Sequence, residues 1–237
     1  MLTAIGFCPQ PPLLVPELAA GAAGELDALR AACAEVIRRL LGAGPDRVVV
    51  LGTGPRTRTY APGTGGSLAG FGVPVTAALP GVPVTAALPG APARGHRGLP
   101  LPLTVGAWLL AGAAVPCTGV ELGPDADLRA LAACLDGGRA ALLVMGDGSA
   151  RRCEGAPGYV DPRAAPHDAA VAAALRGGDA AALRELDPAL GAELLAAGVP
   201  VWRAAGHVAG DDELAADLLY DDAPYGVGYL AATWLPA

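Results

Sequence analysis

Apolar and polar positions follow two rhythms along this chain. Leu2 to Phe7 carries no charge, and Val48-Val49-Val50-Leu51 and Ala140 to Met145 repeat that continuous apolar pattern. A run that is apolar at every position predicts a strand covered on both faces, as in parallel sheets. Between the first two runs, Leu26, Leu29, Cys33, Val36, Ile37, Leu40 and Leu41 recur at helical spacing, with Asp27, Arg30, Arg38 and Arg39 on the opposite side. This predicts an amphipathic helix over 25–41, stopped by Gly42, Gly44 and Pro45. A second helix, over 126–135, leads into the strand at 140–145, which opens into Gly146-Asp147-Gly148-Ser149. Three short Ala-rich helices follow over 167–175, 180–186 and 189–197, with Asp179 and Asp187-Pro188 as start signals for the last two. Gly226 to Leu230 reads as a closing strand. The alternation predicts a single α/β domain over residues 1–237, with a mixed or mainly parallel central sheet flanked by helices.

Some segments depart from these rhythms. Leu99 to Val120 contains no charge and has the length of a bilayer span. Pro100, Pro102 and Pro116 interrupt it, and Thr104 reads as the N-cap of a short buried helix over 105–114, so no membrane partner is expected. Gly72 to Pro80 reads GVPVTAALP, and Gly81 to Pro89 repeats it letter for letter. One repetition does not make a solenoid. A lengthened surface loop or hairpin is expected, and its apolar character suits a pocket cover or contact with a second copy of the chain. Gly63-Thr64-Gly65-Gly66 has the glycines of a phosphate loop but neither a preceding strand nor a Gly-Lys-Ser/Thr, and reads as a flexible loop.

Charge narrows the function. The net charge is −7 and all 16 basic residues are arginine, so the chain lacks the basic footprint of a general nucleic-acid binder. Arg56 with Arg58, Arg94 with Arg97, and Arg151 with Arg152 form local clusters. The five cysteines (Cys8, Cys33, Cys117, Cys134, Cys153) contain no Cys-x-x-Cys pair and lie in apolar segments, as small hydrophobes do. The first basic residue is Arg30, so no secretion signal is read, and a reduced, cytoplasmic location is expected.

The connection Cys8-Pro9-Gln10-Pro11-Pro12-Leu13-Leu14-Val15-Pro16-Glu17-Leu18 joins the first strand to the first helix. Its prolines fix φ and withhold backbone donors, giving a stiff loop at the end of a buried strand, where α/β proteins hold working side chains. With Gly146-Asp147-Gly148-Ser149 and Arg151, Pro157-Gly158-Tyr159, Asp161-Pro162-Arg163 and Ala223-Pro224-Tyr225-Gly226-Val227-Gly228-Tyr229, it resembles the catalytic B subunits of class III extradiol ring-cleavage dioxygenases, whose relatives include the Memo proteins. The resemblance implies that family's α/β fold over the whole chain. It also implies Fe(II) held by two histidines and a carboxylate, with a further histidine moving protons. The family's first loop reads Pro-His-Pro-Pro, where this chain has Gln10. The loop Leu51 to Arg58 contains no histidine, Ala150 stands at the proton-handling position, and Ala196 and Ala197 best match the carboxylate, with Glu193 nearby. His96, His167 and His207 show no ligand spacing: His96 lies among arginines, and a capping or surface role is expected for His167. The resemblance therefore implies a diverged member without ferrous ring cleavage, with no metal ligands and no cofactor. The alternative is an active Fe(II) extradiol-type dioxygenase using substitute ligands.

The polar residues that remain are expected to bind a small-molecule ligand. Gln10, Thr53, Arg56, Asp147, Ser149 and Arg151 should converge at the strand ends. Arginine forks at 56 and 151 would turn a cation site into an anion site. Equally open is that Asp147 and Arg151 pair with each other or with loop backbone. Ser149 lacks a Gly-x-Ser-x-Gly elbow, which leaves a hydrolase or transferase based on it or on Arg151 without support.

Overall fold

The structure is a computed structural model that describes residues 1–81, 98–124, 128–211 and 213–237. The chain opens with β1 (Leu2–Cys8), crosses the proline-rich loop and the short α1 (Pro16–Ala19), and enters α2 (Asp27–Gly42). β2 (Arg47–Thr53) follows, then the short β3 (Arg58–Tyr60), β4 (Gly65–Ser67) and β5 (Thr76–Ala78). Next come α3 (Leu101–Leu109), β6 (Cys117–Leu122), α4 (Arg129–Leu135) and β7 (Ala140–Met145). Four helices form a block: α5 (Ala164–Gly177), α6 (Ala180–Arg184), α7 (Pro188–Glu193) and α8 (Val199–Ala209). β8 (Leu214–Asp222) and β9 (Tyr229–Pro236) complete the fold.

Seven strands form one sheet in the order β3-β6-β2-β7-β1-β9-β8. The inner four, β6, β2, β7 and β1, are parallel. β3 and β9 run antiparallel to their parallel neighbours, and β8 antiparallel to β9. The molecule is thus an α/β protein with a mixed, largely parallel sheet, as the alternation predicts. Successive side chains of a strand face opposite layers. Val48, Val50, Leu143 and Met145 pack under α2 and α3 against Leu29, Cys33, Val36, Leu40 and Leu103. Ile5, Phe7, Val49, Leu51, Leu142 and Val144 meet Leu131, Val171, Leu175, Leu183 and Trp202 on the other face. Small residues bring the layers close. A Cβ on Gly106 of α3 would stand 2.6 Å from Val50 Cγ1. Phe7 and Trp234 meet edge to face at 4.9 Å, and Trp234 Nε1 donates to Leu175 O at 2.8 Å.

Several expectations need correction. α3 begins at Leu101 behind Pro100, with Pro102 in its first turn, and Thr104 lies inside it. Thr104 Oγ1 donates to Leu99 O and Pro100 O, so it braces the entry and does not cap it. β6 emerges from the apolar run just after Pro116, where Gly119 and Glu121 mask its character, and α8 starts at Val199 with Pro200 in its first turn. Part of the glycine run is not a flexible loop: Gly65–Ser67 forms a two-stranded sheet with Thr76–Ala78 from the first copy of the duplicated nonapeptide. The second copy, from residue 82, lies outside the described residues, as do His96 and its flanking arginines. Cys8, Cys33 and Cys117 are buried, but Cys153 is exposed. Among the described residues no helix is long and apolar enough to cross a membrane.

Candidate functional site

The proline frame after β1 holds Gln10 at the carboxyl end of the sheet, with only 8% of its surface exposed. Its backbone N–H donates to Asp147 Oδ1 at 2.7 Å, and its own Oε1 is buried without a hydrogen-bond partner among the described residues. Asp147 follows β7, the strand paired with β1, and its backbone oxygen accepts from Gly198 N at 2.7 Å. Asp147 as a residue is only partly covered, yet burial of its carboxyl raises the pKa to about 7, with the Gln10 N–H opposing the rise. Tyr229, at the start of β9, is buried, and its phenol is pushed well up by burial and then by the Asp147 charge. Gln10, Asp147 and Tyr229 thus form one electrostatic group where β7, β1 and β9 meet.

Ser149 has a different role from the one expected. It is fully buried, donates through Oγ to Leu194 O at 2.8 Å and accepts from Arg151 N at 3.1 Å. With both functions engaged inside the protein, it braces the loop and does not face a ligand. Its own N–H donates to Asp168 Oδ1 at 2.8 Å, and Arg152 Nη1 donates to Asp168 Oδ2 at 2.9 Å. Burial is the largest influence on Asp168 and raises its pKa against those two bonds. The carboxylate fits because two facing residues lack side chains. A Cβ on Gly228 would lie 2.2 Å from Asp168 Oδ2, and one on Gly148 2.8 Å from Oδ1. Gly148 N donates to Gly228 O at 2.7 Å and Gly228 N to Ser149 O at 2.9 Å, which seals the junction. Asp168 escaped sequence reading. The available signal was an aspartate next to His167 at a predicted helix start, in a chain with Gly146-Asp147-Gly148 and Gly226-Val227-Gly228 elsewhere.

The two arginines lie in different surroundings. Arg56 is exposed in a cleft of about 320 Å³ with Arg58, Tyr60 and Glu121, at the β3–β6 side of the sheet. Its backbone N–H donates to Glu121 Oε1 at 3.3 Å, and this buried carboxylate also accepts from Tyr60 OH at 2.6 Å. Arg151 packs its stem beside Gly158 and has a buried Nε without a partner among the described residues, while nearby Asp161 is held low chiefly by its hydrogen bonds from Arg163 and only secondarily by the Arg151 charge. No described contact joins Arg56 to Arg151 or Asp147 to Arg151. The expected convergence of all six residues therefore reduces to Gln10 with Asp147, because Glu121 draws the Arg56 loop toward the outer strands.

Thr53 ends β2 and lines two adjoining recesses. One, about 380 Å³, is walled by Gly191, Ala192, Leu195, Ala196, Ala197 and Pro200. The other, about 480 Å³, runs between Leu122, Gly123 and Pro124 at the end of β6 and Pro200, Arg203, Ala204 and His207 of α8. Leu195 (φ 54°) and Tyr159 (φ 60°) are both left-handed non-glycine residues, and a Cβ on Gly158 would approach Leu195 Cδ1 to 2.6 Å. Such backbone states cost of order 1–3 kcal/mol each and cluster at sites that need a fixed shape. His167 is buried inside α5, not at the surface, and burial lowers its pKa. His207 is exposed near the end of α8.

A ferrous centre with two imidazoles and a carboxylate does not fit this donor set. Gln10 offers an amide, the loop Leu51 to Arg58 holds no histidine, Asp147 offers a carboxyl whose pKa burial raises to about 7, and alanine stands at 150, 196 and 197. Among the described residues no group of three or more His, Cys, Asp or Glu is placed to hold a metal ion.

No protein-family model matches the chain, and no curated protein matches its sequence. Among solved structures the fold is similar to that of an uncharacterized protein, JW3007, from Escherichia coli K12, at 15% identity and a TM-score of 0.55. That similarity covers 98% of this chain and 99% of the other, and it establishes the shared α/β fold.

Proposed function

We propose that this chain is a diverged relative of the class III extradiol dioxygenases that binds a small molecule at the carboxyl edge of its sheet, without cleaving catechols through ferrous iron. The observation that carries this reading is the recess of about 380 Å³ in which Ala196 and Ala197, the positions matching the family's carboxylate, line apolar space opposite Thr53. Ligands of open α/β sheets bind outside the carboxyl ends of the strands, mostly in apolar recesses with a few polar groups. Gln10 Oε1 and Asp147 supply polar groups at the neighbouring strand ends. The buried thiols Cys8, Cys33 and Cys117 suit a reducing, cytoplasmic setting, and the net charge of −7 disfavours a nucleic-acid partner.

Anaerobic loading with Fe(II), followed by desalting, metal quantification and oxygen uptake on catechol, tests the loss of ferrous chemistry. The expected result is iron well below one per chain and no uptake above the protein-free rate. Stoichiometric iron with catechol-dependent uptake would return the chain to the active dioxygenases.

A further inference from the structure

We infer that the groove between β6 and α8 is a binding site for a small carboxylate with an apolar body. The inference rests on the reading of the sheet's carboxyl edge as a ligand-binding edge, and it names the chemistry of one part of that edge.

The groove measures about 480 Å³, within the usual range for small-molecule sites. One stripe of α8 forms a wall: Pro200, Arg203, Ala204 and His207 follow the spacing of a single helix face. The rest of that helix turns inward, with Val201, Trp202 and Ala205 buried in the core. Opposite stand Leu122, Pro124 and Leu128, and Thr53 closes the end at β2. The lining is thus apolar apart from a threonine, an arginine and a histidine.

Charge decides the ligand class. Among the described residues no carboxylate lines the groove and Arg203 makes no ion pair. Its one described bond is from Nη1 to Leu186 O, a neutral carbonyl that neither cancels the guanidinium charge nor uses all five of its N–H groups. An arginine at the edge of an apolar groove favours an anion, and a planar fork matches a carboxylate. Thr53 and His207 add groups able to hydrogen-bond to its oxygens. The prolines and leucines give an alkyl body a surface to cover, without ordering flexible side chains. Asp125, Ala126 and Asp127 stand between Pro124 and Leu128 in the sequence and lie outside the described residues, so the test includes a cationic probe, which a net negative groove would favour.

Isothermal titration at neutral pH with hexanoate, 1-hexanol and hexylamine separates the contributions of charge and body. The expected result is hexanoate binding about ten-fold or more tighter than either other probe, the lower end of what a charge-assisted hydrogen bond supplies. Arg203→Gln should remove about that factor for hexanoate. Because Arg203 also holds Leu186 O, Thr53→Val and His207→Gln, which break no described internal hydrogen bond, serve as second variants. Each should weaken hexanoate and leave hexanol unchanged. Equal binding of hexanol and hexanoate overturns the carboxylate inference while leaving a small-molecule site in place, and preference for hexylamine overturns it as well. If none of the three binds, the inference falls, while the ferrous reading stands or falls separately on the iron-loading experiment.

Discussion

Asp147 is a side chain at this edge whose charge changes near neutral pH. Its pKa in the folded chain is about 7, above the ordinary carboxylate range, because burial outweighs the Gln10 N–H. Below pH of about 4 the folded and unfolded chains both hold the proton, and the group costs nothing. As pH climbs from about 4 to about 7 the unfolded chain releases the proton and the folded chain keeps it, so stability falls. Above that window the loss is constant, with an upper bound of about 4 kcal/mol at ~1.4 kcal/mol per pH unit, reduced because the residue is only partly covered. Asp147→Asn keeps an acceptor for Gln10 and cannot ionise. Urea denaturation should find the variant close to the parent at pH 4.5 and more stable by up to a few kcal/mol at pH 8. Parallel pH profiles for the two proteins would refute the assignment. Gln10 and Asp147 were readable as members of one strand-end set because each lies two residues past an apolar strand. The separate surroundings of Arg56 and Arg151 were not, since the path of a loop depends on tertiary partners such as Glu121, which accepts from the Arg56 backbone N–H and which no local pattern reveals.

The elements separate into those with a local signature and those defined by their neighbours. β1, β2 and β7 were legible because a strand covered on both sides is apolar at every position, and α2 because its stripe is regular. β8 was not: Leu214–Asp222 mixes leucines with three aspartates and is only partly covered. α8 was missed because Pro200 looks like a stop, although in a first turn proline is a start. Where elements join, the sequence is tightly constrained. Gly148, Gly228 and Asp168 bring together the end of β7, the approach to β9 and the first turns of α5 in one buried contact. Gly228→Ala would drive a methyl group into the carboxylate and displace it from Ser149 N and Arg152. Thermal or chemical denaturation should show a loss of about 2–4 kcal/mol, more than overpacking alone because a buried charged pair is disturbed. A loss under about 0.5 kcal/mol, the range of ordinary surface substitutions, would contradict that junction.

At the scale of the whole molecule, the strand built from the last stretch of sequence is not at the rim. β9 sits between β1 and β8, with Trp234 against Phe7 and Tyr229 near Asp147. This placement sets a chronology for biosynthesis. While the tail is still inside the ribosome, the emerged chain has β1 with one open flank, Asp168 without Gly228 beside it, and β8 with no strand to join. The junction of β1, β7 and β9 therefore forms only after β9 has emerged, and the proposed site beside it cannot be complete earlier. Cell-free translation of chains stopped at successive lengths would show this as an abrupt gain of protease resistance. It should appear only after β9 is released, with chains ending at Asp222 digested throughout. Resistance already present in those shorter chains would mean that the parallel strands and their helices fold as a unit without β9.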